Sequence, residues 1–177
     1  MRGNDIIKKG IVLLLTLLPA FLLTSCLFLP AATEQPTKSD EEKIELRETA
    51  EANEAYLKAA VNGQMSIAEI IDVFEAMCAE KVEDDSVLFE TGTFNFTGEP
   101  AFYFSVVRQF PDGENEYYQI HLDIQFAPDE TNRTFKNVVW SDFLEDESIF
   151  DFIRASDAFA YAAAHTYQTI NIYWDET

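Results

Sequence analysis

Ser105, His121 and Asp123 have the side-chain types of a nucleophile, a base and an orienting acid. A serine hydrolase needs its imidazole within hydrogen-bond reach of the serine hydroxyl, a carboxylate behind the imidazole, and amides turned towards the developing oxyanion. The alternation described below predicts that all three lie on one sheet face, with Ser105 opposite His121 and Asp123 two residues along. Their surroundings suit a solvated polar face better. No Gly-x-Ser-x-Gly elbow surrounds Ser105, and a serine in mid-strand has its neighbouring amides engaged in the ladder. No catalytic residue is assigned, and a hydrolase built on Ser105, His121 and Asp123 stands as an alternative.

Other chemistry is scarcer. The two histidines, His121 and His165, are 44 residues apart and make no paired zinc motif. Carboxylates crowd at Glu83-Asp84-Asp85, Asp112–Glu116 and Asp142–Asp151, but none matches a calcium-binding helix-loop-helix loop. A calcium-binding acidic domain is therefore a second alternative, and no metal ligand or cofactor is assigned. Cys78 falls on an apolar helix face without a basic neighbour in sequence, so it reads as a small buried hydrophobe. Aromatic residues are the stronger signal. Of the 24, 20 lie between Ser86 and Trp174. Most occupy core-period positions, while Tyr103, Tyr117, Tyr167 and Tyr173 fall on opposite faces, where rings can stack on a glycan or anchor a protein partner.

The elements that must position these residues follow from periodicity. Asp40 to Val61 predicts a helix rich in Glu, Ala, Lys and Leu, with Leu46, Ala50, Leu57 and Val61 on a weak stripe that Asn53 interrupts. Ser66 and Glu69 form a capping box, with Met65 and Ile70 placed as its hydrophobic staple. Ile67, Ile70, Ile71, Phe74, Met77 and Cys78 follow at helical spacing. From Val87 the period changes to two, predicting strands over Val87–Thr97, Ala101–Phe110, Glu116–Phe126 and Thr134–Phe143. The third alternates most clearly, Tyr118, Ile120, Leu122, Ile124 and Phe126 against polar residues, which implies an antiparallel sheet with one solvated face. Pairing Phe110 with Glu116 across the Pro111–Asn115 turn sets Val106 against Ile120, Phe104 against Leu122 and Tyr103 against Asp123. Ser148 and Asp151 suggest another capping box. Its helix should run to about His165, breaking near Ser156, with Ile149, Ile153, Phe159, Ala160 and Ala163 inward and His165 at its C-terminal dipole. Thr166–Trp174 alternates as a final strand. The fold class is α+β: two helices, a four-stranded antiparallel meander, then a helix and a strand that joins the sheet.

The N-terminus carries Arg2, Lys8 and Lys9 before an apolar run, Ile11 to Leu23, of about 20 Å as a helix. That is short for a bilayer core of roughly 30 Å and fits a signal-peptide h-region. Leu23-Thr24-Ser25-Cys26 resembles the lipobox of bacterial lipoproteins. The resemblance implies cleavage before Cys26, lipidation of Cys26 and anchoring to the cell membrane or outer membrane on its extracytoplasmic side. Leu27, where some such proteins carry a retention Asp, favours the outer membrane. Residues 26–39 then read as the lipidated cysteine and a flexible tether with a reach near 20 Å, and 40–177 as one domain. Two helices before a meander, with Gly63-x-Met65-Ser66-x-x-Glu69-Ile70 at the second helix start, also resemble small helix-helix-sheet envelope lipoproteins that assist outer-membrane assembly. A cystatin-like or NTF2-like order, one curved sheet wrapping helices, fits equally.

Charge narrows the partners. With 12 basic and 32 acidic residues the net charge is -20, and removal of 1–25 leaves 9 and 31, or -22. Phosphate backbones need clustered Lys and Arg, so nucleic acid is excluded as a partner class. Anionic headgroups would repel the domain too, leaving the lipid on Cys26 as its membrane hold. The expectation is a non-catalytic binding or assembly module that meets an envelope protein or glycan through an aromatic-rich sheet face.

Overall fold

The computed structural model describes residues 38–95, 100–113, 116–127, 134–142 and 148–177. The signal segment, Cys26 and the tether up to residue 37 lie outside them, as do Thr97, Phe143 and the side chain of Ser148, so the capping box at Ser148 is not described. Helix α1 spans Asp40–Ala60 and α2 Ile67–Met77. Strands β1 (Ser86–Asn95), β2 (Pro100–Pro111), β3 (Tyr117–Phe126) and β4 (Val138–Asp142) follow. Helices α3 (Ser148–Ala155) and α4 (Asp157–Ala164) then lead into β5 (Tyr167–Glu176). The five strands form one antiparallel sheet in the order β4-β1-β2-β3-β5, which is the α+β class expected. The four-stranded meander is not formed: only β1, β2 and β3 run as neighbours, and β4 returns to pair with the other edge of β1, leaving the outer edge of β3 for β5. Among the described residues no helix is long and apolar enough to cross a membrane.

Both early helices start on reciprocal caps. Ser66 Oγ accepts from the Glu69 amide (3.3 Å) while Glu69 takes the Ser66 amide (2.7 Å), as its sequence implies. Ser39 and Glu42 make the same exchange at α1. In each box those hydrogen bonds hold the glutamate carboxyl below its usual range. Helix α2 buries Ile67, Ile70, Ile71, Phe74 and Met77, whereas α1 buries only Leu46, Ala50 and Leu57 and lies at the core margin against β3 and β5.

The core is the sandwich between this helical layer and one sheet face. Phe89, Phe104, Phe110, Ile120, Leu122 and Ile124 are fully enclosed there. Phe102 meets Phe126, Phe135 and Tyr161 with ring centroids 5.1–5.4 Å apart for Phe126, Phe135 and Tyr161 alike, in tilted or edge-on arrangements. Cys78 is buried as expected, and burial pushes its thiol up.

Three further expectations are corrected. The β2–β3 register is shifted by two residues: Val106 faces Leu122, Phe104 faces Ile124, Ser105 faces Asp123 and Tyr103 faces Gln125. The Asp112 amide bonds the Glu116 carbonyl (3.0 Å), with Gly113 at φ 114°, so the turn is tighter than one pairing Phe110 with Glu116. The inward faces of the late helices also differ. Ser156 ends α3 and caps α4, its Oγ accepting from the Phe159 amide (3.0 Å), which resets the helical phase. Ala158, Tyr161 and Ala162 are therefore buried, and Ala160 and Ala163 are exposed. Finally, a bulge at Gln125/Phe126 pairs Phe126 with Tyr167, turning that tyrosine to the helix side.

One core-period position was not singled out by the sequence: Arg108, 1% exposed between Val106 and Phe110. Its Nε donates to Asp85 Oδ2 (2.9 Å), Nη2 to the same oxygen and to the Glu80 carbonyl (2.5 Å each), and Nη1 to the Met77 carbonyl (3.3 Å). Asp84, at φ 61°, makes the turn that drives Asp85 inward. The guanidinium thus ties the end of α2 to the middle of the sheet.

Candidate functional site

The described helices pack on one face of the sheet, and the residues that alternate with that core lie on the opposite, outer face. The register aligns that face in transverse rows. The central row crosses all five strands as Trp140, Leu88, Val107, His121 and Tyr173. Beside it runs Val138, Glu90, Ser105, Asp123 and Asn171, and on its other side Asp142, Ser86, Gln109, Gln119 and Asp175. Leu88, Glu90, Tyr103, Ser105, Val107, His121, Asp123 and Tyr173 are among the residues lining a shallow trough of about 480 Å³. Val107 forms its floor at 4% exposure, while Trp140 (55%), Val138 (59%) and Tyr173 (38%) stand out.

Side chains on this face hold one another in place. His121 and Tyr173 stack nearly parallel, 4° between planes and 4.6 Å between centroids. The His121 Nε2 lies 3.1 Å from Asp175 Oδ1 and 3.2 Å from Gln119 Oε1; a carboxylate only accepts, so that nitrogen carries the hydrogen. Asp123 accepts from the Ser105 hydroxyl (2.5 Å) and from the Tyr173 hydroxyl (3.0 Å). Tyr103 donates to Glu90 (2.8 Å), and its ring lies over Gly92, where an added Cβ would stand 2.7 Å from the ring edge. Gly92 thus leaves the space that the Tyr103 ring occupies, the close approach for which a strand glycine is suited. Both hydroxyls are pushed up to about 12, by burial first and then by the acceptor carboxylates.

The predicted site residues fare differently. Ser105 and Asp123 are brought into direct contact, and His121 is paired with Val107 rather than with Ser105. The order of contact is serine to carboxylate, with the imidazole hydrogen aimed at Asp175 and Gln119, not the serine-imidazole-carboxylate chain of a hydrolase. Tyr103 and Tyr173 share the trough. Tyr117 lies on the same face but at the far end of β3, opposite Pro111. Tyr167 is on the other side of the sheet, its hydroxyl donating to the Met65 carbonyl (2.9 Å) at the start of α2. Two acids from the crowded clusters are occupied inside the protein: Asp85 by Arg108, and Asp112 by Lys43 (2.8 Å), whose ammonium that bond holds above its usual range. Among the described residues no three metal-ligating groups converge. His165, at the end of α4, bonds the Tyr161 carbonyl through Nδ1 (2.8 Å) and stacks on its ring.

Sequence reasoning missed Trp140, Leu88 and Val107. Trp140 shares the outer face with Val138 and Asp142 and alternates with Val139 and Ser141, and that signal was present, but a five-residue strand gives the alternation little length. A larger hollow of about 810 Å³ at the β5 edge, between Lys58–Gly63 and β5, shares Asp123 and Tyr173 with the trough but is not lined by Tyr103 or His121. Comparisons with protein-family models, with curated proteins and with solved structures found no match, so the face is read from its own chemistry.

Proposed function

We propose that this chain is a lipid-anchored, extracytoplasmic binding module, without catalysis of its own, that holds an envelope partner on the open face of its sheet. The observation that carries the reading is the outer trough, where Tyr103, His121 and Tyr173 are fixed by Glu90, Asp123 and Asp175 on a face that no described helix covers. Rings already ordered by hydrogen bonds lose little freedom on binding, so their apolar area converts to affinity with less entropic loss. The lipobox ending in Cys26 and the apolar run before it support the location, and the acidic surface is consistent with the lipid being its membrane hold.

The test is site-specific photocrosslinking in intact envelopes. A photoreactive residue at Val138 or Asn171, on either side of the trough, should give a discrete adduct that Tyr103→Ala and Tyr173→Ala together abolish. The same residue at exposed Glu48 on α1 should give none. Adducts of equal yield from both positions, or adducts indifferent to the two tyrosines, would overturn the assignment of the face. For the anchor, metabolic labelling with a tagged fatty acid should mark the chain and leave Cys26→Ala unmarked; equal labelling of the two would remove the lipid from the reading.

A further inference from the structure

The central row of the outer face has a length and a charge pattern. Five strands spaced 4.7–4.9 Å apart span about 19 Å, the length of about 13 helical residues. Same-face rows lie about 7 Å apart along a strand. The mainly apolar row from Trp140 to Tyr173 is therefore flanked, about 7 Å to either side, by Glu90 and Asp123 and by Asp142 and Asp175. No Lys or Arg occupies an outward position in these three rows. In the Asp142 row the amide oxygen of Gln109 is buried and has no donor among the described residues.

We infer that the occupant of this face is a cationic amphipathic helix of a partner protein, laid across the strands along the Trp140–Tyr173 row. The inference rests on the binding reading above and names the partner class. Apolar side chains at i, i+3, i+4 and i+7 of such a helix meet Trp140, Leu88 and Tyr173, and Lys or Arg on its two flanks reach the carboxylate rows. A helix is about 10 Å across, which matches flanking charges on either side of a 7 Å half-width. Charge complementarity decides against the rivals. A second copy of this chain would set carboxylates against carboxylates, an anionic lipid surface is repelled, and a neutral glycan draws nothing from the net field of four acids. An added strand would pair at a sheet edge instead of crossing its face.

The experiment uses the lipidated full chain in phosphatidylcholine nanodiscs, whose neutral surface does not attract a cationic probe. The probe is a synthetic helical peptide of about 13 residues with Leu on one face and Lys on both flanks, compared with its Lys→Glu counterpart and with a neutral hexasaccharide. The Lys peptide should bind and shift Trp140 emission to shorter wavelength, a change lost in Trp140→Phe. Its affinity should fall about tenfold in Asp142→Asn/Asp175→Asn with circular dichroism unchanged, and fall again as salt rises to about 0.15 M, where screening acts within about 8 Å. Equal binding of both peptides, or binding indifferent to salt and to the paired Asn changes, overturns the inference. Binding of the hexasaccharide alone, lost in Tyr173→Ala, overturns the helix but leaves the face as a binding surface. Failure of all three probes together with absent crosslinks removes both.

Discussion

Tyr103 and Tyr173 show how single groups on the outer face depend on their protonation. Each donates its hydroxyl hydrogen to a carboxylate, and each is raised from about 10 to about 12 in the fold. Between those values the folded chain holds protons that the unfolded chain has released, so stability is complete below pH 10 and declines as pH climbs towards 12. Urea unfolding at stepped pH should show that decline, and Tyr103→Phe/Tyr173→Phe should flatten it. A slope unchanged in the double variant would move the effect to other groups. Arg108 is the opposite case, a permanent charge without solvent. Arg108→Met leaves Asp85 buried and unpaired, and a loss of about 3–5 kcal/mol is expected in chemical unfolding. Arg108→Met/Asp85→Leu should recover part of it, since the stranded charge goes too. If the double change is as damaging as the single one, the guanidinium's bonds to the Met77 and Glu80 carbonyls dominate.

At the scale of elements, Ser156 separates two short helices by accepting from the Phe159 amide while donating to the Ile153 carbonyl (2.7 Å). Ser156→Ala removes both bonds and should cost about 1 kcal/mol, read as a lower urea midpoint at constant slope. The elements also show what the residues could and could not announce. Ser66-x-x-Glu69 was plain, because a capping box is a local contract between four residues, and the period-two runs marked each strand. Register was not. A shift of two keeps every side chain on its face, so alternation cannot tell Ser105–His121 from Ser105–Asp123; only the turn geometry at Asp112, Gly113 and Glu116 decides. The bulge that turned Tyr167 inward and the cap that reset α4 have the same character. Each is a single-residue event that rotates everything after it, and periodicity averages over such events. Of the candidate site, Tyr103, His121, Asp123 and Tyr173 were legible as outward residues, but their grouping with Trp140, Leu88 and Val107 is a product of long-range strand order.

At the scale of the whole molecule, a net charge of -20 over 177 residues means that the compact state repels itself. Added salt should therefore raise the midpoint of thermal unfolding, a rise visible by calorimetry and the reverse of what a fold held by surface ion pairs would show. A fall with salt would point instead to pairs such as Arg154 with Asp72 and Glu75 between α3 and α2. The ends of the described domain carry a further consequence. The Lys38 amide bonds the Asp112 carbonyl (2.9 Å), and Thr177 exchanges both backbone bonds with Tyr117 (2.9 and 3.0 Å). Start and finish thus dock on the two arms of one hairpin, while the link at Gly63 faces open space. The order in which the chain is written is therefore separable from the architecture: joining 177 to 38 through a short bridge and reopening the backbone at Gly63 yields a permuted chain with the same five-stranded sheet, whose new ends lie beside α2.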